Sequence, residues 1–162
     1  MTSARQLRRV TMRDSGMVRR QAHIEQEIQA AIADLQQEHD FVLCNTTGAA
    51  PYDLTLALED HKLLLILHAE DGAAEQRITL GLQPLRPFIK DYFILCENYY
   101  AAAQSGNRMQ LEAIDAGRRT THNEAAGLLR DLLQDKVKLD GCTARRLFTL
   151  VAALHLGGWS HR

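Results

Sequence analysis

Six residues in the C-terminal half of the chain have the types and spacing that a chemical site would require. Four of them lie three or four positions apart, which is contact spacing on a helix. They are Asp115, Arg118, Arg119 and His122. A carboxylate could orient the histidine for acid–base chemistry, and the two guanidinium groups could hold an anion. The functional interpretation of this set is a substrate or anion site in which His122 is catalytic only if the protein is an enzyme. A structural ion network that ties neighbouring helices together is the interpretation that we favour for these four residues, because charges at helical spacing are common and buried arginines usually have structural partners.

The other two residues, Arg145 and Arg146, are expected in the first turn of the last helix, behind an N-terminal cap at Thr143. Cations at this end of a helix are disfavoured by about 0.3–1 kcal/mol, so a nearby anion would offset their placement. The free N–H groups of the turn would help to hold that anion. Pairing of these arginines with carboxylates of neighbouring helices is again the alternative.

A pocket between the last two helices, bordered by both arginine pairs, is the sharpest hypothesis that these residues support. Its ligand would be a small phosphorylated or carboxylated molecule held by the four guanidinium groups. The supporting residues expected around it are Asp115, Glu112, Glu97 and Asn123.

No metal ion and no cofactor is expected. A metal site needs three or four converging ligands, and the arginines would oppose a cation among the acidic candidates. The chain has three widely spaced cysteines without a CxxC pair: Cys44, Cys96 and Cys142. We therefore expect reduced thiols that fill apolar space, as is typical of cytoplasmic proteins.

Composition argues against a membrane or nucleic-acid partner. The 162 residues carry a net charge of −1 and contain no apolar run long enough to span a bilayer. The start of the chain is basic, with Arg5, Arg8, Arg9, Arg13, Arg19 and Arg20. An RNA-associated protein is therefore one hypothesis, although the segment lacks the interleaved aromatic residues that stack on bases.

Hydrophobic periodicity predicts the elements that position these residues. Residues 5–82 are predicted to hold a first strand, a helix over Gln21–Glu38, a short strand over Phe41–Leu43 and three further strands. Residues 84–156 are predicted to form three helices, the first of them the central core helix. The second helix starts at an Asn107 cap, directly after Gly106 ends the first. Residues 141–142 are expected to turn the chain before the last helix, and residues 157–162 are a tail.

This order of elements predicts a single α+β domain over residues 1–162. Its parts are an antiparallel β-meander, an N-terminal helix and a C-terminal layer of three helices. The run Leu63–Leu67 is apolar without alternation, which is typical of a strand buried on both faces. Either the N-terminal helix or a second subunit must cover the second face, and we expect a homodimer.

Several motifs are similar to those of a known family. They are Lys90-Asp91-Tyr92-Phe93, Cys96-Glu97, Tyr99-Tyr100, Glu112-Ala113-Ile114-Asp115, Gly117-Arg118-Arg119, His122-Asn123-Glu124 and the run from Thr143 to Leu150. Over Pro84–His155 the chain resembles an uncharacterised protein family of alphaproteobacteria, and it resembles the family more loosely over Ala22–Leu82. The resemblance implies a cytoplasmic protein without an established activity, often encoded beside histidinol dehydrogenase.

We therefore predict a cytoplasmic binding or accessory protein whose arginine-rich pocket takes a small anion. Its expected partners are that ligand and a second copy of the chain, and neither a membrane nor a nucleic acid. The alternative is a small enzyme that acts on a phosphorylated or carboxylated metabolite, with His122 as general acid or base.

Overall fold

The computed structural model describes residues 6–13, 21–45, 51–69 and 75–159, with side chains described as far as His155 in the last helix. These residues contain six strands and four helices. In chain order they are β1 (Leu7–Arg13), α1 (Ala22–Gln37), β2 (Phe41–Leu43), β3 (Tyr52–Glu59), β4 (Lys62–Ala69), β5 (Glu75–Gly81), α2 (Arg86–Ser105), α3 (Arg108–Leu133), β6 (Val137–Leu139) and α4 (Gly141–Trp159). Arg5, Arg19 and Arg20 of the basic start lie outside the described residues.

Four strands form the main sheet in the order β1-β3-β4-β5. β3, β4 and β5 pair antiparallel, which confirms the predicted meander. Asp60 and His61 connect β3 to β4, and their φ angles of 53° and 62° suit the type I′ turn that two-residue hairpins favour. β1 runs parallel to β3, so the first strand makes the sheet mixed. β2 and β6 pair separately, and the predicted α+β fold class is confirmed.

α4, rather than the predicted α2, is the central helix. Its residues from Leu147 to Leu154 are all buried, and it packs against α1, α3 and β3. α2 buries Tyr92 and Phe93 but leaves Ile94 49% and Tyr100 46% exposed. The apolar residues of α4 point to all sides, whereas the wide apolar band of α2 is only partly covered. A groove therefore remains between α1 and α2, with α4 beneath it.

The start of α4 differs from the prediction because a carboxylate, rather than the Thr143 hydroxyl, caps the helix. Asp140 Oδ1 accepts the Thr143 N–H at 2.8 Å, so α4 begins at Gly141 and the expected turn at residues 141–142 is helical. A carboxylate at this position also interacts favourably with the helix dipole. The Thr143 hydroxyl instead accepts the Asp40 N–H at 2.8 Å and joins α4 to the end of α1.

This shift moves Arg145 and Arg146 into the second turn of α4. The prediction that they lie in the first turn is therefore wrong, and the helix-start argument for an anion does not apply to them. At its other end α4 continues to Trp159, past the predicted end at residue 156. Residues 160–162 of the expected tail lie outside the described part of the chain.

The junction between α2 and α3 confirms the predicted boundary signals. Gly106 ends α2 with a φ of 76°, a left-handed conformation that glycine adopts without strain. Asn107 Oδ1 then accepts the Gln110 N–H at 3.1 Å and caps α3. These two residues fix where α3 starts and therefore which side chains it turns toward α1 and α4.

The outer face of the sheet carries a second, small apolar cluster. Ala57, Leu64 and Ile66 are buried there, and the cluster contains no helix residue. α1 packs on β1 and α4 instead, so it does not cover this face as the sequence allowed. None of the described helices is both long and apolar enough to cross a membrane.

Candidate functional site

Two adjoining pockets lie along α1, one on each side of Glu27. The larger, which we call the aromatic pocket, lies between α1 and α2 and has a volume of about 320 Å³. The smaller, which we call the cationic pocket, lies between α1 and α4 and has a volume of about 260 Å³. Glu27, Ala30 and Thr149 line both pockets. The two cavities are therefore neighbours that share one boundary.

The aromatic pocket has apolar walls and a short polar edge. α2 contributes Tyr92, Phe93, Tyr99 and Tyr100, α1 contributes His23, Ile24 and Ile28, and Ala153 of α4 lies at the base. The His23 and Tyr100 rings stack across the groove, with centroids 4.4 Å apart and planes at 13°. His23 Nε2 is buried and has no hydrogen-bond partner among the described residues.

Arg118 reaches the polar edge of the aromatic pocket and is held by two carboxylates. Its Nη2 donates to Asp115 at 2.7 Å, one turn away on α3, and its Nη1 donates to Glu27 of α1 at 3.4 Å. The guanidinium carbon lies 4.3 Å from the centre of the Tyr99 ring, which is a cation–π contact. Burial would lower the pKa of Arg118, but the hydrogen bond to Asp115 and the charge of Glu27 raise it above its ordinary value.

Tyr92 and Cys96 complete this edge as uncharged groups. Burial raises the pKa of the Tyr92 hydroxyl far above its ordinary value, so the side chain remains a phenol. Burial also raises the pKa of the Cys96 thiol, more than the neighbouring Tyr92 and Arg118 lower it. A protonated thiol is a poor nucleophile, and Cys96 therefore acts as an apolar filler.

The cationic pocket contains Arg145 and Arg146 with different surroundings. Arg146 donates to the Glu38 carbonyl at 2.8 Å and lies 3.9 Å from the Asp34 carboxylate. Arg145 is partly buried, and no carboxylate among the described residues forms an ion pair with it. Its Nε–H is buried without a hydrogen-bond partner in the described structure. Arg145 is thus the cation of this pocket that forms no ion pair within the described part of the chain.

His122 joins α3 to α4 at the same pocket. Its Nε2–H donates to the Arg145 carbonyl oxygen at 2.8 Å, and the Thr149 hydroxyl oxygen lies 3.2 Å from the same nitrogen. Burial lowers the pKa of His122 below its ordinary value, although the hydrogen bond to the Arg145 carbonyl raises it; the charges of Arg145 and Arg118 lower it further. The imidazole is therefore neutral near pH 7, and one of its nitrogens is committed to the backbone.

The remaining predicted site residues lie apart from both pockets. Arg119 is exposed and pairs with Asp115 at 3.3 Å, so one carboxylate serves both arginines of α3. Glu97, Glu112 and Asn123 are exposed, and none of them lines either pocket. The structure thus brings Arg145, Arg146 and His122 together, and it places Arg118 across the shared boundary from them.

Sequence reasoning missed the contribution of α1. In the sequence, Glu27 and Asp34 lie outside the apolar stripe of that helix, as polar residues of a surface helix do, and nothing local marks them as site residues. Glu27 meets Arg118 across 91 positions of sequence, a contact that only the tertiary packing creates. Among the described residues, no cluster of histidine, cysteine, aspartate and glutamate could hold a metal ion.

Comparison with known proteins identifies relatives over nearly the whole chain. Residues 4–157 match an uncharacterised protein family, UPF0262. A UPF0262 protein of Azorhizobium caulinodans is 45% identical over 150 residues, covering 92% of this chain and 93% of the relative. One of Xanthobacter autotrophicus is 44% identical over 149 residues, covering 92% and 91%. One of Paramagnetospirillum magneticum is 39% identical over 158 residues, covering 98% and 100%.

No solved structure matches the chain. The match to the family runs from β1 into the last turn of α4 and includes both pockets, so it covers the Arg118 and Arg145 segments. The chain therefore belongs to the uncharacterised protein family UPF0262, which confirms the resemblance inferred from its motifs.

Proposed function

We propose that this protein binds a small phosphorylated or carboxylated molecule in the cationic pocket, with Arg145 as the main anion-binding residue. The observation that carries this proposal is that Arg145 forms no ion pair with a described residue and has a buried Nε–H without a hydrogen-bond partner. A partly buried guanidinium without a carboxylate partner is costly, because it has lost part of its hydration and gained no compensating ion pair. A bound anion would supply that missing partner.

The other charged groups around the pocket support the choice of Arg145. Glu27 pairs with Arg118, and Asp34 lies beside Arg146, so both acids of the pocket already face a cation. Arg146 can still donate to a ligand, because its guanidinium has more donors than the single backbone hydrogen bond uses. Phosphate and carboxylate are the groups that a guanidinium fork recognises best.

Binding without catalysis is the function that we propose, and the location of such a protein would be the cytoplasm. All three cysteines are free thiols, which suits a reducing compartment.

The small cluster of Ala57, Leu64 and Ile66 on the outer face of the sheet supports a homodimer through that face. Sedimentation of the protein over a range of concentrations tests this, and a monomer throughout would contradict it.

An enzyme that uses His122 as general acid or base is the second candidate. One observation favours it, since His122 is a neutral imidazole that lines the same pocket as Arg145. Its Nε2–H already donates to a backbone carbonyl, which is the arrangement of a ring held in one orientation. Catalysis would therefore have to use the other nitrogen, Nδ1.

Titration calorimetry with inorganic phosphate and with citrate tests the binding function. We expect both anions to bind the protein, and Arg145→Gln to weaken each by about tenfold or more, because a charge-assisted hydrogen bond is lost. Arg119→Gln is the matched control. It removes one positive charge from the neighbouring helix, but Arg119 is exposed and lines neither pocket.

Equal losses of affinity in Arg145→Gln and Arg119→Gln would mean that the anions respond only to overall charge, and would overturn the proposal. Absence of binding to the unmodified protein would overturn it as well. His122→Gln separates the two candidate functions, because it would abolish a reaction that requires an imidazole while Arg145 remains to bind the anion.

A further inference from the structure

We infer that the two pockets form the two halves of one site for an amphipathic small molecule, with a planar apolar body in the aromatic pocket and an anionic group at Arg145. This inference rests on the proposed anion-binding function and extends it to a ligand class. Glu27, Ala30 and Thr149 line both cavities, so a single molecule can occupy them by passing over this shared boundary. Together the cavities reach the range of about 300–1,000 Å³ that is typical of ligand sites.

The aromatic pocket suits a ring rather than an extended chain. It exists because α1 and α2 both pack beside α4 and leave a groove between them. Tyr92 and Phe93 form its inner wall with their rings edge-on to each other, and Tyr100 stacks on His23 at the mouth. Aromatic walls of this kind favour offset or edge contacts with a further planar ring.

Charge balance assigns the anionic group to the cationic pocket. Arg118 is the cation at the edge of the aromatic pocket, and Asp115 and Glu27 already hold it. These two contacts leave the Arg118 guanidinium less available to an anion of the ligand. Arg145 has no such partner among the described residues, so the anionic end of the ligand belongs there.

His23 adds a position for a polar atom on the ring. Its Nε2 is buried in the described structure without a partner, and His23 lines the aromatic pocket. A buried polar atom without a hydrogen bond costs free energy that a ligand atom could recover. A ring with one hydroxyl, carbonyl or ring nitrogen at its edge therefore fits better than a plain hydrocarbon.

Three probes measured by titration calorimetry test this arrangement: inorganic phosphate, 1-naphthol and 1-naphthyl phosphate. The third joins an apolar double ring to an anion, whereas each of the others has one part only. We expect 1-naphthyl phosphate to bind at least about tenfold more tightly than inorganic phosphate, since ring burial adds to the same anion contact. 1-Naphthol should bind weakly and without dependence on Arg145.

Ala103→Phe and Ala101→Phe separate ring binding from any general effect on α2. Both alanines are exposed on that helix, and Ala103 alone of the two lines the aromatic pocket. Ala103→Phe should reduce the affinity for 1-naphthyl phosphate to about that for inorganic phosphate and leave phosphate itself unchanged. Ala101→Phe should change neither. Tyr100→Ala, which removes one ring from the wall, is a second variant that should weaken only the naphthyl probes.

The outcomes distinguish this inference from the function on which it rests. If inorganic phosphate binds through Arg145 but 1-naphthyl phosphate binds no more tightly, the single amphipathic site is overturned and the anion pocket stands. The same holds if Ala103→Phe and Tyr100→Ala leave the 1-naphthyl phosphate affinity unchanged. If inorganic phosphate does not bind at all, the anion pocket is overturned and the joint site with it.

Discussion

At the scale of single residues, Arg118 and Arg145 show how similar side chains acquire different roles. Both are partly buried arginines that line a pocket. Arg118 is bound by Asp115 and Glu27, whereas Arg145 meets no carboxylate in the described structure. The first arginine therefore joins helices together, and the second remains available to a ligand. The sequence marked both as candidates but could not tell one role from the other.

The structural role of Arg118 predicts unequal effects when its contacts are removed. Asp115→Ala should lower the free energy of unfolding by about 1–3 kcal/mol, because it removes the shorter of two contacts to a partly buried cation. Arg118→Met should cost less, since the methionine still packs on Tyr99 and leaves no cation behind. Urea unfolding measures both.

Glu27→Ala is the comparison for that experiment. Glu27 lies 3.4 Å from Arg118 and its side chain is 46% exposed, so its loss should cost less than about 1 kcal/mol. If Glu27→Ala destabilised the protein as much as Asp115→Ala, the two carboxylates would be equivalent and the assignment of Asp115 as the main partner would be wrong.

His122 predicts a pH dependence of stability. Burial lowers its folded-state pKa below the ordinary 6.5, so the unfolded chain binds a proton more readily than the folded protein. The stability that this neutral imidazole contributes is therefore present above pH 6.5, and it is lost as the pH falls through the lowered pKa. In His122→Gln, thermal unfolding should depend less steeply on pH between about 7 and 5.

Comparing the pH profile of the unmodified protein with that of His122→Gln separates the contribution of His122 from those of the other histidines. His39, for example, accepts the Leu7 N–H at 3.0 Å through Nε2 and donates from Nδ1 to the Leu35 carbonyl, and it is unchanged in both proteins. Parallel profiles for the two proteins would show that His122 does not titrate differently on unfolding, against this account.

At the scale of elements, the start of α4 decides where the cationic pocket lies. Asp140 caps the helix, and although burial raises its pKa, the hydrogen bonds with Thr143 and the charges of Arg146 and Arg130 hold that pKa below its ordinary value. Asp140→Ala should therefore cost about 0.5–2 kcal/mol in unfolding free energy, while Asp140→Asn should retain most of the stability. Urea unfolding of the two variants measures this.

The counterpart of that prediction concerns Thr143, which the sequence suggested as the cap. Thr143→Ala removes the hydroxyl that accepts the Asp40 N–H, a contact between α4 and the segment after α1. The Thr143 side chain also hydrogen-bonds the Asp140 carboxylate, so the two substitutions should couple in a double-mutant cycle. Additive effects would instead mean that the Thr143 hydroxyl stabilises the protein through Asp40 alone.

Replacing each of two glycines in the helical layer with alanine should change the free energy of unfolding in opposite directions. Gly106 has a φ of 76° at the end of α2, and a Cβ there would meet nothing within 4 Å, so any cost of Gly106→Ala is a backbone cost of about 1 kcal/mol. Gly127 lies inside α3 with a normal φ and equally open space. Gly127→Ala should therefore stabilise by about 0.5–1 kcal/mol, and a destabilising Gly127→Ala would contradict the helix as described.

At the scale of the whole molecule, local signals predicted most elements and failed where distant segments meet. Alternation in β3 to β5 and the Gly106–Asn107 boundary lie within a few residues, so the meander and the start of α3 followed from the sequence. The choice of α4 as the central helix depends on which apolar surfaces the rest of the chain covers. The pairing of Glu27 with Arg118 depends on how α1 lies against α3.

The candidate site illustrates the same limit. Arginines at helical spacing indicated an anion site between the last helices, and Arg145, Arg146 and His122 do line one cavity. The sequence carried no signal that α1 would supply the opposite wall of that cavity. Nor did it show that carboxylates would hold Arg118 and Arg119 while Arg145 forms no ion pair with any described residue, because that difference arises from packing between segments far apart in the chain.

The most direct measurement of the anion pocket is native mass spectrometry of the protein isolated from its natural host in a buffer of volatile ammonium salt. If Arg145 holds an anion, we expect a discrete extra mass on each chain of the unmodified protein, retained in Arg119→Gln and absent from Arg145→Gln. Fragmentation of the released molecule would then name the anion and show whether it carries an aromatic ring. Chains without added mass in all three proteins, together with no phosphate binding by calorimetry, would contradict anion binding at Arg145.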